Sequence, residues 1–254
     1  MATGLERPTA VWDRSRYMRS QFDKLCRAEA VVTRNPGNVS ARAGMAAALY
    51  SLGYLDDALE EAETAVSQKP DYAYAQMIHG VTLYGKGYGR EALESLGRAV
   101  SLDPADIHAR YAMGVVLQSM ERDIEALEVM ERGLRIDADS VKLILGRGHS
   151  LEMLGRNAEA LEAVERAIAL EPDHRYAHKS RGRVLLSLGR PEEALEALDR
   201  AVEIRPDDAR AHIERWRALD ALDRDEEALD ALDRGVELDP EVFTDPRGAL
   251  RERP

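Results

Sequence analysis

Apolar positions recur with a helical period of about 3.6 residues along most of the chain, in short runs that glycine and proline interrupt. Ala177, Val184 and Leu185 fall on one helical face. Gly189 and Pro191 then break the run before the same period resumes. Glycine typically ends a helix and proline begins the next one. The pattern therefore predicts pairs of short helices joined by tight turns.

The predicted helix pairs recur at one constant spacing, and three ladders of residues carry it. Prolines that separate the pairs stand at Pro36, Pro70, Pro104, Pro172, Pro206 and Pro240. Alanines stand at Ala58, Ala92, Ala126, Ala160, Ala194 and Ala228, and smaller residues at Ala46, Gly80, Gly114, Gly148 and Gly182. Small side chains let two helix backbones approach closely. We therefore expect these ladders at helix crossings.

The three ladders resemble the tetratricopeptide repeat, a 34-residue helix-turn-helix unit. The resemblance implies an all-α fold, a right-handed α-α superhelix (solenoid), in which first helices line a concave groove and second helices face outward. Six repeats fit residues 39–242. Residues 1–38 are interpreted as an N-terminal capping helix or degenerate repeat, and 243–254 as a short tail. Trp216, Glu121 and Ala138 depart from the pattern, and Ala138 predicts a looser third junction.

Net charge and cysteine content limit the binding partners and the cellular compartment that are expected. The 254 residues include 35 Lys and Arg against 47 Asp and Glu, a net charge of −12. This charge argues against binding to nucleic acid or to an anionic membrane surface. The sequence also contains no run of about 18 apolar residues, as a membrane span requires. Cys26 is the only cysteine, which favours a reducing compartment. The expected location is cytoplasmic.

No set of residues predicts catalysis, a metal site or a cofactor. His149 with Glu152 and His174 with His178 have the spacing of metal ligands on a helix, but each pair lacks a third ligand. No nucleophile with a base can be assembled, so the chain is predicted not to be an enzyme. Three arginines recur at the repeat spacing: Arg147, Arg181 and Arg215. They could form an anion-binding stripe, but the resemblance favours packing residues whose charged ends meet acids.

The first helices supply the predicted partner-binding groove. In the first half its residues are aromatic or apolar: Tyr74, Met77, Tyr84 and Tyr111. In the second half they are mainly basic: Lys142, His149, Tyr176, Lys179, Arg183, Arg210 and Arg217. Five fixed positive charges face two negative ones there, against the sign of the whole chain. We therefore predict a protein or peptide partner that is acidic at one end and apolar at the other. A clamp for chaperone C-terminal carboxylates is disfavoured, because Glu214 has the wrong sign for it.

The C-terminal end predicts an alternative function. The last helix would expose an apolar stripe that an interior repeat would cover, formed by Leu229, Leu232 and Val236. Either the tail covers this stripe through Phe243, or a second molecule does. The alternative is thus a self-assembling structural repeat protein that uses its C-terminal end. Pairing of the same patch on two molecules would give a closed homodimer, and end-to-start stacking would give a fibre. The sequence favours the dimer, because the charged N-terminal helix is a poor apolar partner.

Overall fold

The computed structural model describes residues 14–242, which fold into thirteen α-helices and no strand. The helices are α1 (Arg14–Arg34), α2 (Val39–Leu52), α3 (Leu55–Gln68), α4 (Ala73–Gly85), α5 (Gly89–Leu102), α6 (Ile107–Ser119), α7 (Asp123–Leu134), α8 (Val141–Met153), α9 (Asn157–Leu170), α10 (Ala177–Ser187), α11 (Pro191–Ile204), α12 (Ala209–Asp220) and α13 (Asp225–Leu238). The chain is therefore an all-α helical-repeat protein. Within the described residues, no helix has the length and apolarity that a membrane span needs.

After α1 the helices follow one another as six pairs, α2 with α3 through α12 with α13. The even-numbered helices are the first helices and the odd-numbered ones from α3 onward are the second helices. The chain divides into two compact units, residues 1–116 and 117–254, with the boundary inside α6. In the first unit α1 packs against α2, and α4 packs against both α2 and α3. In the second unit α10 packs in the same way against α8 and α9.

Every turn within a pair contains one residue with positive φ, at the repeat spacing. Four are glycines, with φ between 69° and 89°: Gly53, Gly87, Gly155 and Gly189. The other two are Glu121, with φ of 59°, and Asp223, with φ of 54°. A side chain in this left-handed region costs about 1–2 kcal/mol. The turn geometry is thus kept even where the sequence lacks glycine.

The third junction, where Ala138 replaces the proline, differs from the others in the length of the helix before it. Helix α7 ends at Leu134 and has 12 residues, whereas the other second helices have 14. The carbonyl of Ala138, which replaces the proline, accepts a hydrogen bond of 2.8 Å from Arg166 NH2. An arginine side chain from α9 therefore fastens this junction.

The small-residue ladders lie at helix crossings, as expected. The alanine ladder is at most 4% exposed along its whole length. An added Cβ on Gly80 would lie 2.7 Å from Leu96 Cγ, too close for any real contact. Sequence analysis missed a fourth ladder of small residues, which is also buried: Ala65, Ala99, Gly133, Ala167, Ala201 and Gly235. Trp216, which replaces a small residue, packs partly buried against the core of the second unit.

Candidate peptide-binding surface

Three first helices of the second unit place one exposed side chain each at the same repeat position. These are Lys142, Tyr176 and Arg210, each one repeat after the last, and we call them the exposed row. Lys142 and Arg210 each lie in the first turn of a helix, and Tyr176 directly precedes α10. Helix N-termini favour negative charge. The exposed row therefore combines two cations, an aromatic ring and three helix starts.

The ring of Tyr176 is held among cations. Its centroid lies 4.4 Å from Arg175 Cζ and 5.4 Å from Lys179 Nζ. Both distances are within the range of a cation–π interaction. The ring is nevertheless 41% exposed, so part of its surface is available to a ligand.

A second set of predicted groove residues is engaged within the protein. Arg183 donates from Nε and NH2 to the two carboxylate oxygens of Glu152, at 2.6 and 2.7 Å, and its NH2 lies 3.2 Å from His149 Nδ1. Glu152 is only 8% exposed. Although burial alone would lower it, the hydrogen bonds with Glu152 raise the pKa of the Arg183 guanidinium. The charge of Arg183 is thus largely satisfied before any partner arrives.

Lys179 and Arg217 also have carboxylate partners. Lys179 Nζ lies 2.7 Å from Asp208, which caps α12 by accepting from the Ala211 N–H. Burial acts to raise the pKa of Asp208, but Lys179 and the cap hold it below its ordinary value. Arg217 NH1 lies 3.1 Å from Glu214. The charge count from the sequence did not place Asp208 and Glu214 on the basic half of the groove. These two carboxylates offset two of the three excess positive charges counted there.

In the first unit, Tyr74 stands at the repeat position of the exposed row and is itself exposed. Its ring meets that of Tyr72 edge to face, with centroids 6.2 Å apart. Lys69 Nζ lies 5.6 Å from the Tyr72 ring. This arrangement presents aromatic surface with a cation beside it.

The other predicted residues of the first unit are partly buried. Burial raises the pKa of Tyr50, and the neighbouring Tyr84 adds to this shift. Met77 packs against an apolar cluster that includes Ile78. Tyr111 is also partly buried, in α6. These aromatic and apolar side chains therefore expose only part of their surface.

His178, which resembled a metal ligand, has a structural partner. His178 donates through Nε2 to the Pro172 carbonyl at 2.7 Å, and His212 makes the same bond to Pro206 at 3.0 Å. Gln76 occupies the same repeat position and bonds to the carbonyl of the preceding proline. Over residues 14–242, no three potential ligands are arranged to hold a metal ion. Gln76, His178 and His212 recur at the repeat spacing. This recurrence could have predicted a hydrogen bond from each side chain to the proline between repeats, but the sequence analysis did not use it.

The recurring arginines join each first helix to the second helix before it. The ion pairs are Arg147 with Glu131 at 3.5 Å, Arg181 with Glu165 at 3.8 Å and Arg215 with Asp199 at 2.6 Å. Their acids also recur at the repeat spacing. These arginines therefore join neighbouring repeats, as the resemblance implied.

The apolar stripe of α13 is open over the described residues. Leu229 is 58% exposed and Val236 37% exposed, whereas Leu195, which corresponds to Leu229 in the preceding repeat, is 7% exposed. Leu232 is partly buried. Phe243 lies outside the described residues.

Helix pairs repeated at a fixed spacing define an α-helical repeat protein. Models of one family, described as tetratricopeptide repeat, match residues 145–209 and 185–251. Residues 145–251 thus match the tetratricopeptide repeat, and the helix pairs before them follow at the same spacing. No curated protein matches the chain in sequence.

Solved structures share this fold. The thermophilic tetratricopeptide repeat protein TTC0263 of Thermus thermophilus is 26% identical, with 72% of this chain and 98% of that chain covered and a TM-score of 0.61. A tetratricopeptide repeat protein from Parabacteroides merdae is 16% identical, with coverages of 91% and 95% and a TM-score of 0.72. YrrB, described as having an unusual peptide-binding site, is 24% identical, with coverages of 72% and 95% and a TM-score of 0.55.

Proposed function

We propose that the chain is a non-enzymatic protein-interaction scaffold whose second unit binds an acidic peptide segment of another protein. The observation that carries this proposal is the exposed row, Lys142, Tyr176 and Arg210. The peptide-binding site in the printed description of YrrB supports the same kind of use for this fold.

The chemistry of the exposed row defines the partner. Among the described residues Lys142 makes no ion pair, so its ammonium group can meet a carboxylate without losing a bond. The Tyr176 ring offers a flat apolar surface with cations beside it. We therefore expect a segment with acidic residues on both sides of an aromatic or aliphatic one. Charges of this kind orient and steer a partner more than they add affinity.

Lys179, Arg183 and Arg217 have a different role in this proposal. Each already holds a carboxylate of the same unit, so a partner would have to displace that carboxylate to bind there. We therefore assign them to positioning α8, α10 and α12. The aromatic surface around Tyr74 in the first unit is proposed, separately, as a contact for apolar segments.

Selection from a random peptide display library tests the proposal. Peptides selected on the wild-type protein should be enriched in Asp and Glu near an aromatic or aliphatic residue. Lys142→Glu combined with Arg210→Glu should weaken the binding of these peptides at least about tenfold. Arg132→Glu on α7, combined with Arg135→Glu directly after that helix, makes the same charge change elsewhere and should leave binding intact. Peptides without acidic bias, or equal binding to both double variants, would overturn the proposal.

A cytoplasmic location belongs to the same proposal. It is supported by Cys26, the only cysteine, which is exposed and forms no disulfide in the described part of the chain. Fractionation of cells that express the protein tests it, and recovery outside the cytoplasm would contradict it.

A second candidate function is self-association through the C-terminal end. The exposed Leu229, at a position that is buried in the preceding repeat, favours it. Covering a leucine-sized group contributes about 1.5–3 kcal/mol, so a partner for this stripe would be stabilising. A homodimer through α13 is the simplest form of this association.

A further inference from the structure

The apolar stripe of α13 (Leu229, Leu232 and Val236) lies within an acidic surface. The helix contains six acidic residues and one basic residue. Four of its exposed acids make no ion pair with any described residue: Asp225, Glu226, Asp230 and Asp233. Any molecule that covers the stripe must therefore bring apolar side chains together with positive charge.

Helix α1 has the matching properties. It contains six basic and two acidic residues, although the whole chain has a net charge of −12. Phe22 is 56% exposed and Val31 40% exposed. Lys24 and Arg27 are exposed and have no ion-pair partner within residues 14–242. One side of α1 packs against α2. At about 3.6 residues per turn, Val31 lies beside Lys24 and Arg27 on the exposed side, and Phe22 lies on the opposite flank.

We propose that two copies of the chain associate head to tail, with α1 of one copy covering the apolar stripe of α13 on the other. The proposal rests on the second candidate function, self-association through the C-terminal end, and is independent of peptide binding. A symmetric pairing of two α13 helices would bring two acidic surfaces together and cost free energy through repulsion. Pairing α13 with α1 places acidic residues against basic ones and covers apolar side chains on both helices.

Head-to-tail pairing has two consequences that a symmetric dimer lacks. The two surfaces differ, so each pair retains one unused α1 and one unused α13, and further copies can add. The attraction also involves exposed charges, which salt screens over about 8–10 Å at physiological ionic strength. Assembly should thus exceed two copies and weaken as salt is raised.

Sedimentation velocity across a concentration series tests the proposal on the full chain. The mass of the wild type should rise beyond that of two copies and fall at high salt. A head variant, Lys24→Glu with Arg27→Glu, and a tail variant, Leu229→Glu with Val236→Glu, change only exposed residues. Each should weaken self-association at least about tenfold. Glu192→Lys with Glu196→Lys on the exposed side of α11 is the control and should assemble as the wild type does.

Mixing the head and tail variants gives the sharpest result. The head variant keeps a native α13 and the tail variant keeps a native α1, so together they can form one native junction. An equimolar mixture should form pairs of one copy each and grow no further. A head variant that dimerises like the wild type would overturn the proposal in favour of a symmetric α13 dimer. A wild type that stays monomeric would also overturn it and would point to residues 243–254 as the cover.

Binding of the selected acidic peptides separates this proposal from the first proposed function. Both the head and tail variants leave the exposed row unchanged and should bind those peptides as the wild type does. Loss of assembly with intact peptide binding therefore isolates the junction between copies.

Discussion

Removal of the Arg183 guanidinium should destabilise the second unit substantially. In the native protein it donates two hydrogen bonds of 2.6 and 2.7 Å to Glu152, which is 8% exposed. Arg183→Met keeps a long apolar side chain but leaves the buried carboxylate without its cation. A hydrogen bond to a charged group contributes about 1.5–3 kcal/mol.

The magnitude follows from the burial of the two partners. Breaking a fully buried ion pair from one side costs about 3–5 kcal/mol. The Arg183 side chain is 34% exposed, so water can partly replace its contacts. We therefore expect Arg183→Met to lower the free energy of unfolding by about 2–3 kcal/mol. Glu152→Met combined with Arg183→Met should cost less than the two single changes added together, because neither charge is then left alone.

Urea unfolding followed by the fluorescence of Trp216 measures these effects, since Trp216 packs against the core of the second unit. A Trp12→Phe background makes Trp216 the only tryptophan. The control is Arg156→Met, which removes an exposed pair with Glu159 three residues away and should change stability little. Equal midpoints for Arg183→Met and this control, or additive single and double changes, would refute the reasoning.

Three further predictions concern the free energy of unfolding, measured by urea unfolding followed by circular dichroism of the helices. Asp208→Asn should keep the helix cap but lose the ion pair with a lysine, while Asp208→Ala should lose the cap as well, at about 1 kcal/mol more. Burial acts to raise the pKa of Asp208, but that lysine and the cap outweigh it and hold the pKa below its ordinary value. The stabilisation by Asp208 is therefore present above the ordinary pKa of an aspartate and is lost as the pH falls through the lower native pKa. Wild type should therefore lose its advantage over Asp208→Asn below about pH 4; a constant difference would contradict this. Gly182→Ala would place its new Cβ against a core leucine and should lower the free energy of unfolding by about 1–3 kcal/mol. Gly97→Ala has nothing within 4 Å of its new Cβ and should raise the free energy of unfolding by about 0.5–1 kcal/mol. Equal effects of the two changes would show that the helix crossing at Gly182 is not tight. Glu121→Gly and Asp223→Gly should each stabilise the chain by up to about 1 kcal/mol, because glycine adopts their positive φ without a steric penalty; loss of stability in both would contradict the turn geometry.

Much of the fold could be predicted from the sequence because the same helix packing recurs in six repeats. A helix crossing admits only a small side chain, so the need for Ala194 or Gly182 recurs in each repeat and becomes visible as a ladder. The same register identified Leu229 and Val236 as positions that a following helix covers in the preceding repeats. These inferences depend on local periodicity, which the amino-acid order determines directly.

The charge pattern of the candidate surface was decided only by the tertiary structure. Arg183 meets Glu152 across 31 residues and Lys179 meets Asp208 across 29, and neither separation is the repeat length. Such pairs depend on side-chain rotamers and on how neighbouring helices pack. Counting the charges at repeat positions gives no information about either. For this reason the sequence predicted a basic face, whereas folding brings acids onto that face and leaves Lys142 as a cation without an ion-pair partner among the described residues.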